Sequence, residues 1–210
     1  MGLTNIRKLG NYRFRQRQIS KLIKRFRLEE RNDLKVLDVG CGFDPVSLYF
    51  NSREKTVLLD IDTKIENVDI YDDIDKPNYR FPFPDKFFDI IILTDVLAHI
   101  KNKDRVLSEC KRVGKMLVLS TVNVSTMRHV YRRITGRDVE PMHVSEVSYD
   151  KLLDLVKKHY KKCYVLGYSL QLPFLSTVYA CFPTWFLNLI EYIGERIPEK
   201  SAKILVMCTD

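Results

Sequence analysis

The sequence has few of the features that mark a small secreted protein. It contains no Cys-x-x-Cys pair, and its cysteines are odd in number and widely spaced: Cys41, Cys110, Cys163, Cys181 and Cys208. We therefore expect neither a disulfide framework nor a structural zinc site, and the pattern is typical of a reducing cytoplasm. The first residues turn polar and basic at once, so no signal peptide is predicted.

Long hydrophobic runs are almost absent as well. Residues 163–190 carry no charge and would be long enough to span a bilayer, but Pro173 and Pro183 interrupt them. We predict a buried strand and an apolar helix there instead of a transmembrane helix. The aromatic side chains of this region could form a lid, a membrane-facing patch or plain core; they are Phe174, Tyr179, Phe182, Trp185, Phe186 and Tyr192.

Charge is unevenly distributed along the chain. The 210 residues, 45% of them hydrophobic, are enough for one domain with a single core, and their net charge is +8. Residues 1–35 hold 11 basic and 3 acidic side chains, whereas the remaining residues hold equal numbers of each. Residues 36–100 are acidic, with 6 basic and 13 acidic side chains. The basicity of the protein therefore belongs to its first segment.

That first segment is predicted to contain a basic amphipathic helix. Within residues 14–28, apolar side chains such as Ile19, Ile23 and Phe26 recur at helical spacing among arginines and lysines. Such a helix either packs its apolar stripe on the protein and leaves its charges in solvent, or contacts an anionic membrane or another polyanion. We interpret residues 1–34 as an N-terminal extension and residues 35–210 as one domain.

From residue 35 onward, short apolar runs alternate with helical patterns. Because the runs are continuously apolar, their strands should be buried on both faces, as in a parallel sheet covered by helices. The class is therefore α/β. Strands are predicted at residues 35–39, 56–59, 68–71, 88–93, 116–120, 163–168 and 204–208, and helices at residues 104–113, 149–160 and 184–193.

The turn after the first predicted strand has the features of a nucleotide-type site. Gly40 and Gly42 allow a ligand to approach the backbone closely, and Asp60 ends the second strand 20 residues beyond Gly40, where a carboxylate suits ribose hydroxyls. A dinucleotide-binding turn would have a third glycine where Pro45 stands, and Asp44 would direct a carboxylate towards its pyrophosphate. A cationic ligand without phosphate fits this acidic region better.

Taken in order, these motifs resemble those of the class I S-adenosylmethionine-dependent methyltransferases, and more closely the type 11 group. The resemblance spans residues 35 to about 165 and rests on VLDVGCG at 36–42, VLLDID at 57–62, VDIYDDIDKP at 68–77, FPFPDKFFDIIIL at 81–93 and TDVLAHI at 94–100. It implies a Rossmann-like fold with about seven mostly parallel strands, the last antiparallel, helices on both faces, and S-adenosyl-L-methionine as cofactor. The helix between strands two and three is nearly deleted in this chain.

The same resemblance implies a set of cofactor-binding residues at the ends of the strands. Asp38 is expected near the amino-acid end of the cofactor, Asp60 at the ribose, and Asp73 and Ile74 beside the adenine. The full implied set is Asp38, Gly40, Cys41, Gly42, Asp60, Ile61, Asp73, Ile74 and Thr94.

Three side chains are candidates for catalysis. Asp95 and His99 have i, i+4 spacing, so on a helix they would share a face near the methyl donor, where His99 could act as a general base. Related enzymes place metal ligands here, but Ala98 removes one of them, and we predict no metal site. The alternative for His99 is a packed or hydrogen-bonded histidine. His143, the third candidate, either borders the acceptor or ties down the loop before the helix at residue 149.

Two segments, residues 124–149 and 170–198, are expected on the substrate side of the domain. Arginines in the first could hold an anionic acceptor or simply face solvent: Arg128, Arg132, Arg133 and Arg137. No Asn-Pro-Pro-Tyr-like element follows strand four and no Pro-Cys dipeptide occurs, so nucleic-acid methylation at adenine amino groups or at cytosine C5 is not favoured.

The sequence therefore predicts methyl transfer from S-adenosylmethionine to a small-molecule acceptor, amphiphilic or lipid-linked. Two alternatives are compatible with the same sequence features. The basic helix could grip RNA in an RNA methyltransferase, or the chain could be an inactive cofactor-binding partner subunit. We expect a cytoplasmic protein with peripheral contact to an anionic membrane.

Overall fold

The computed structural model describes residues 33–126, 145–168 and 184–210, together with residues 19, 130 and 170. A seven-stranded sheet in the order β3-β2-β1-β4-β5-β7-β6 dominates this part of the chain. Its strands are β1 (Val36–Val39), β2 (Thr56–Asp60), β3 (Ile70–Tyr71), β4 (Phe88–Thr94), β5 (Gly114–Val122), β6 (Lys162–Tyr168) and β7 (Lys203–Thr209). The α-helices with ends in the described residues are α1 (Lys103–Val113), α2 (Tyr149–Lys157) and α3 (Thr184–Arg196).

The sheet order confirms the predicted Rossmann-like fold. Strands β1 to β5 are parallel, whereas β7 is antiparallel to both of its neighbours, β5 and β6. The chain moves outward from β1 through β2 to β3 and then returns to place β4 on the other side of β1. In such a sheet the carboxyl ends of the strands beside this reversal form a crevice for ligands.

Both faces of the sheet are covered, which explains why the strands are continuously apolar. Leu37 of β1 belongs to a cluster that includes Leu107 of α1 and Val156 of α2. Val36 points to the opposite face and joins a second cluster that includes Ile19. Ile19 is 2% exposed, which agrees with the alternative in which the predicted amphipathic helix packs its apolar stripe on the protein; the rest of residues 1–32 lies outside the described part of the chain.

The shortening of the β2–β3 connection is a real feature of the fold. Residues 61–69 are all described and form no helix, although parallel neighbours are usually joined by a longer crossover that contains one. A cavity of about 750 Å³ lies on this side of the molecule, lined by residues that include Cys41, Gly42, Arg53 and Lys64. The deletion therefore leaves open space next to the glycine turn.

A cross-strand disulfide departs from the prediction. The antiparallel register places Cys163 of β6 opposite Cys208 of β7, and a disulfide joins the two cysteines, whose Cα atoms are 4.2 Å apart. No disulfide framework was expected, and this single bridge is a feature that the sequence analysis did not predict. Spacing could not reveal it, because 45 residues separate the two positions and only the strand register brings them together. The pair also removes one argument for a reducing compartment.

The uncharged stretch at residues 163–190 forms two elements where it is described. Its beginning lies in β6 and its end lies in α3, while residues 171–183 fall outside the described residues. Within the described part of the chain, no helix is long and apolar enough to cross a membrane.

Candidate active site

The predicted cofactor residues meet at one edge of the sheet. Gly40 and Gly42 follow β1, Asp60 ends β2, and Thr94 ends β4. Because these strands are parallel, their carboxyl ends lie at the same edge. Residues distant in sequence thus form one candidate site.

The glycine turn adopts a backbone conformation that favours glycine. Gly40 and Gly42 have φ angles of +67° and +62°, in the left-handed region. The backbone N–H of Gly40 donates a hydrogen bond to the carbonyl of Leu59 at 2.7 Å, which ties the turn to β2. A Cβ added to Gly40 would lie 2.2 Å from Cγ2 of Val96, whereas a Cβ on Gly42 would meet nothing within 4 Å. Gly42 therefore borders open space, as a ligand cradle requires.

Asp60 is joined to this turn through its carboxylate. The N–H of Gly42 donates to Oδ2 at 2.8 Å, and the N–H of Asp62 donates to Oδ1 at 3.0 Å. A carboxylate oxygen accepts two hydrogen bonds, so each oxygen retains capacity for a ribose hydroxyl. Ile61, the next residue, is 65% exposed and presents an apolar surface beside the carboxylate.

Asp38 has a structural role that the sequence did not indicate. Its side chain is fully buried, and Oδ2 accepts hydrogen bonds from the backbone N–H of Ser47 at 3.1 Å and the hydroxyl of Ser47 at 2.7 Å. Asp38 thus holds the far end of the glycine loop against β1. Contact between Asp38 and the cofactor stays a prediction.

The predicted adenine loop is held by an arginine of α1. Oδ1 of Asp73 accepts a hydrogen bond from the N–H of Asp75 at 2.8 Å, which forms a local turn. The guanidinium of Arg105 donates to the carbonyl of Ile74 at 2.8 Å and to that of Tyr79 at 3.0 Å. The carbonyl of Ile74 is therefore engaged within the protein, and Arg105 is one of the residues that hold this loop.

Cys41 lies between the acidic groups of the site and is not a nucleophile. Burial, followed by the negative charges of Asp38 and Asp60, raises the pKa of the Cys41 thiol to about 12. The thiol is therefore protonated at neutral pH, and a protonated thiol is a poor nucleophile.

The turn after β4 differs from the helical arrangement predicted for Asp95 and His99. Asp95 has φ +58° and precedes the turn, and only Leu97–His99 form a single turn of 3-10 helix. The expectation that the two side chains share a helix face is therefore wrong, because Asp95 is in a left-handed conformation outside the helix. His99 is exposed.

Thr94 and Asp95 are placed by neighbouring strands. Thr94 is 6% exposed at the end of β4, where it pairs with Ser120 of β5. The side chain of Asp95 contacts Ser120 and accepts a hydrogen bond from Nζ of Lys203 at 2.6 Å. Sequence reasoning missed Lys203, as it missed Ser47 and Arg105, because their partners are 9 to 108 residues away.

Other predicted residues cannot be placed. His143, the arginines at positions 128, 132, 133 and 137, and much of the two substrate-side segments lie outside the described residues. In the part of the chain that is described, no three His, Cys, Asp or Glu side chains are grouped so that they could hold a metal ion.

Comparison with known proteins supports the class that this fold and site define. A crystal structure of a SAM-dependent methyltransferase from Archaeoglobus fulgidus has a similar fold, with a TM-score of 0.63 and 14% identity over 96% of this chain and 98% of that one. The ubiquinone/menaquinone biosynthesis C-methyltransferase UbiE of Shewanella frigidimarina is 29% identical over 154 residues, 61% of each chain. An uncharacterized protein of Methanocaldococcus jannaschii is 25% identical over 199 residues, 89% of this chain and 79% of the relative.

The family model for a methyltransferase domain matches residues 12–159. The chain belongs to this methyltransferase family, and the predicted enzyme class is confirmed. S-adenosylmethionine is the expected cofactor. The match begins inside the basic N-terminal segment, so the family's sequence pattern includes part of it.

Proposed function

We propose that this methyltransferase acts on a small amphiphilic or lipid-linked acceptor at the surface of an anionic membrane. The observation that carries the proposal is an exposed apolar stripe on α3, formed by Trp185, Leu189, Tyr192 and Ile193. The site at the sheet edge supplies the binding groups for the methyl donor.

The residues of the site fit S-adenosylmethionine. Gly42 leaves open space at the glycine turn, and both oxygens of Asp60 retain capacity to accept hydrogen bonds from ribose hydroxyls. The acidic stretch at residues 36–100 suits a positively charged ligand. When bound, this cofactor supplies a methyl group activated by a sulfonium. For such an in-line displacement the protein contributes mainly position and orientation, and a base only if the acceptor must lose a proton.

The stripe on α3 is placed for contact outside the domain. Residues 185, 189, 192 and 193 have the spacing of one helix face. Trp185 and Tyr192 are 66% and 53% exposed, whereas Ile190 and Glu191 on the other side of the helix are buried. The guanidinium of Arg196 lies 3.4 Å from the ring centre of Tyr192. Aromatic rings beside a cation are suited to a membrane interface, where one end is apolar and the other is wet.

Two further observations support an amphiphilic acceptor. The relative from Shewanella frigidimarina is named for a C-methylation in ubiquinone and menaquinone biosynthesis. The charge of +8, concentrated in residues 1–35, favours association with anionic surfaces.

A transfer assay identifies the acceptor class. The protein is incubated with S-adenosylmethionine labelled on its methyl group, in parallel with lipid, RNA and small-metabolite extracts. We expect label in the lipid extract. Label confined to RNA would contradict the proposal and favour the RNA alternative, and label confined to water-soluble metabolites would exclude a lipid-linked acceptor.

Membrane association is tested by flotation with vesicles. The full chain should float with vesicles containing about one-third phosphatidylserine and not with neutral phosphatidylcholine vesicles, because both the basic segment and the α3 stripe contribute. The double substitution Trp185→Ser with Leu189→Ser should reduce the floated fraction several-fold, since apolar contact is lost.

The matched control is Leu48→Ser, which changes an exposed leucine outside α3 and should leave flotation unchanged. If the wild-type protein stays at the bottom of the gradient with acidic vesicles, the membrane proposal is wrong. If the α3 variant floats as well as the wild-type protein, the membrane contact lies in another part of the chain.

A further inference from the structure

A polar cluster at the sheet edge joins the end of β4 to β5 and β7. Lys203 is the first residue of β7, and its Nζ donates to Oδ2 of Asp95 at 2.6 Å. Oδ1 of Asp95 accepts from the hydroxyl of Ser120 at 3.3 Å. The side chains of Lys203 and Asp95 are 23% and 27% exposed, so the ion pair is mostly shielded from solvent.

This cluster holds Asp95 in an unfavourable backbone conformation. Its φ of +58° lies in the left-handed region, which costs free energy for a residue with a side chain. The N–H of Asp95 donates to the carbonyl of Ser120 at 2.9 Å and lies 3.2 Å from its hydroxyl oxygen. Backbone and side chain are thus anchored together, and Lys203 supplies a charge-assisted hydrogen bond to this carboxylate.

The conformation of Asp95 determines where the next residue lies. Val96 packs so closely on Gly40 that a Cβ there would be 2.2 Å from Cγ2 of the valine. The carbonyl of Val96 also accepts the N–H of His99 at 2.9 Å, which begins the 3-10 turn. A shift at Asp95 would therefore reach the glycine turn through Val96.

We propose that Lys203 is a positioning residue for the cofactor site. It holds Asp95, Asp95 holds Val96 against Gly40, and this contact keeps the glycine turn in its binding conformation. The inference rests on the proposed placement of the cofactor at Gly42 and Asp60. Without the lysine, a largely shielded carboxylate would lose this ion pair, Asp95 would be held less firmly, and the turn after β4 would relax.

The test is calorimetric titration with S-adenosylhomocysteine, which has the adenosine and amino-acid parts of the cofactor but no sulfonium charge. The ammonium and carboxylate of its amino-acid part cancel, so the ligand has no net charge for the lysine charge to attract or repel. We expect Lys203→Met to raise the Kd about five- to twenty-fold, and Lys203→Arg to stay within about twofold of the wild-type protein, because arginine restores a charge-assisted hydrogen bond.

A double-mutant cycle separates positioning from general destabilisation. If Lys203 acts through Asp95, the double variant Lys203→Met with Asp95→Asn should bind no more weakly than Asp95→Asn alone. A loss that simply adds to that of Asp95→Asn would overturn the proposal. If a thermal melt shows that Lys203→Met does not fold, Lys203→Arg and Asp95→Asn still test the proposal. An unchanged affinity in Asp95→Asn would contradict it.

Lys115→Met is the matched control. Lys115 and Asp89 form a similar ion pair at 2.8 Å between β5 and β4, but at the opposite end of the sheet, so the Kd should not change. Asp60→Asn in the same series tests the placement of the cofactor separately from the positioning role of Lys203. If Asp60→Asn leaves the Kd unchanged, the cofactor placement is wrong; if it raises the Kd while Lys203→Met does not, only the positioning role is wrong.

Discussion

Calorimetric titration of S-adenosylmethionine into the Asp60→Asn variant should give an affinity about five- to 150-fold below that of the wild-type protein, a loss of about 1–3 kcal/mol. Two effects act together. The amide removes a charged acceptor for the ribose hydroxyls. Its NH₂ group must also face the N–H of either Gly42 or Asp62, where the carboxylate accepted a hydrogen bond.

Asp62→Asn is the control for this prediction, because Asp62 lies two residues away and its Oδ1 accepts a local hydrogen bond from the N–H of Lys64. Its affinity should remain within about twofold of wild type. An Asp60→Asn protein that binds S-adenosylmethionine as tightly as the wild type would place the ribose site elsewhere on the sheet edge.

Gly40→Ala should destabilise the protein by about 2–4 kcal/mol and abolish measurable cofactor binding. The left-handed φ of +67° contributes about 1 kcal/mol of strain, and overpacking against Val96 contributes about 1–3 kcal/mol. Because Gly40 and Val96 connect the turns after β1 and β4, relief of the clash must move one of them. Urea denaturation measures the loss of stability, and calorimetric titration measures the loss of cofactor binding.

Two further variants show whether backbone strain or contact with Val96 destabilises the Gly40→Ala protein. Gly42→Ala has similar strain, with φ +62°, but no neighbour within 4 Å, so it should lower stability by only about 1 kcal/mol while its methyl group enters the cofactor space. Adding Val96→Ala to Gly40→Ala should recover part of the lost stability. A double variant as unstable as Gly40→Ala alone would show that contact with Val96 is not the source.

The sequence predicted the strands and helices well because each of them depends on a local pattern, and the family resemblance implied how they are arranged. Continuous apolar runs required burial on both faces, and the two core clusters on opposite sides of the sheet confirm this. The predicted strand at 163–168 is observed as β6, and the helix at 184–193 begins at the same residue in α3. The disulfide between Cys163 and Cys208 was missed because it depends on strand register, which no local pattern reveals.

The part of the site at the ends of β1 and β2 was predictable from the sequence, whereas the part that follows β4 was not. Glycines and a carboxylate at the ends of β1 and β2 are visible in sequence, since each must follow a strand directly. The arrangement of Asp95 and His99 was not visible. An i, i+4 spacing is typical of a helix. Asp95, however, has a left-handed backbone conformation, and the 3-10 turn begins only after it, at Leu97–His99.

Residue order alone was enough to predict the α/β class, the methyltransferase motifs and the separation of an acidic cofactor region from a basic first segment. These properties follow from residue type and local spacing. The side chains that support the site became apparent from the folded arrangement of the strands. Lys203 reaches Asp95 across 108 residues because the antiparallel strand β7 inserts between β5 and β6 and begins at the edge where β4 ends. Contacts of this kind depend on sheet order, and sheet order is a property of the whole chain.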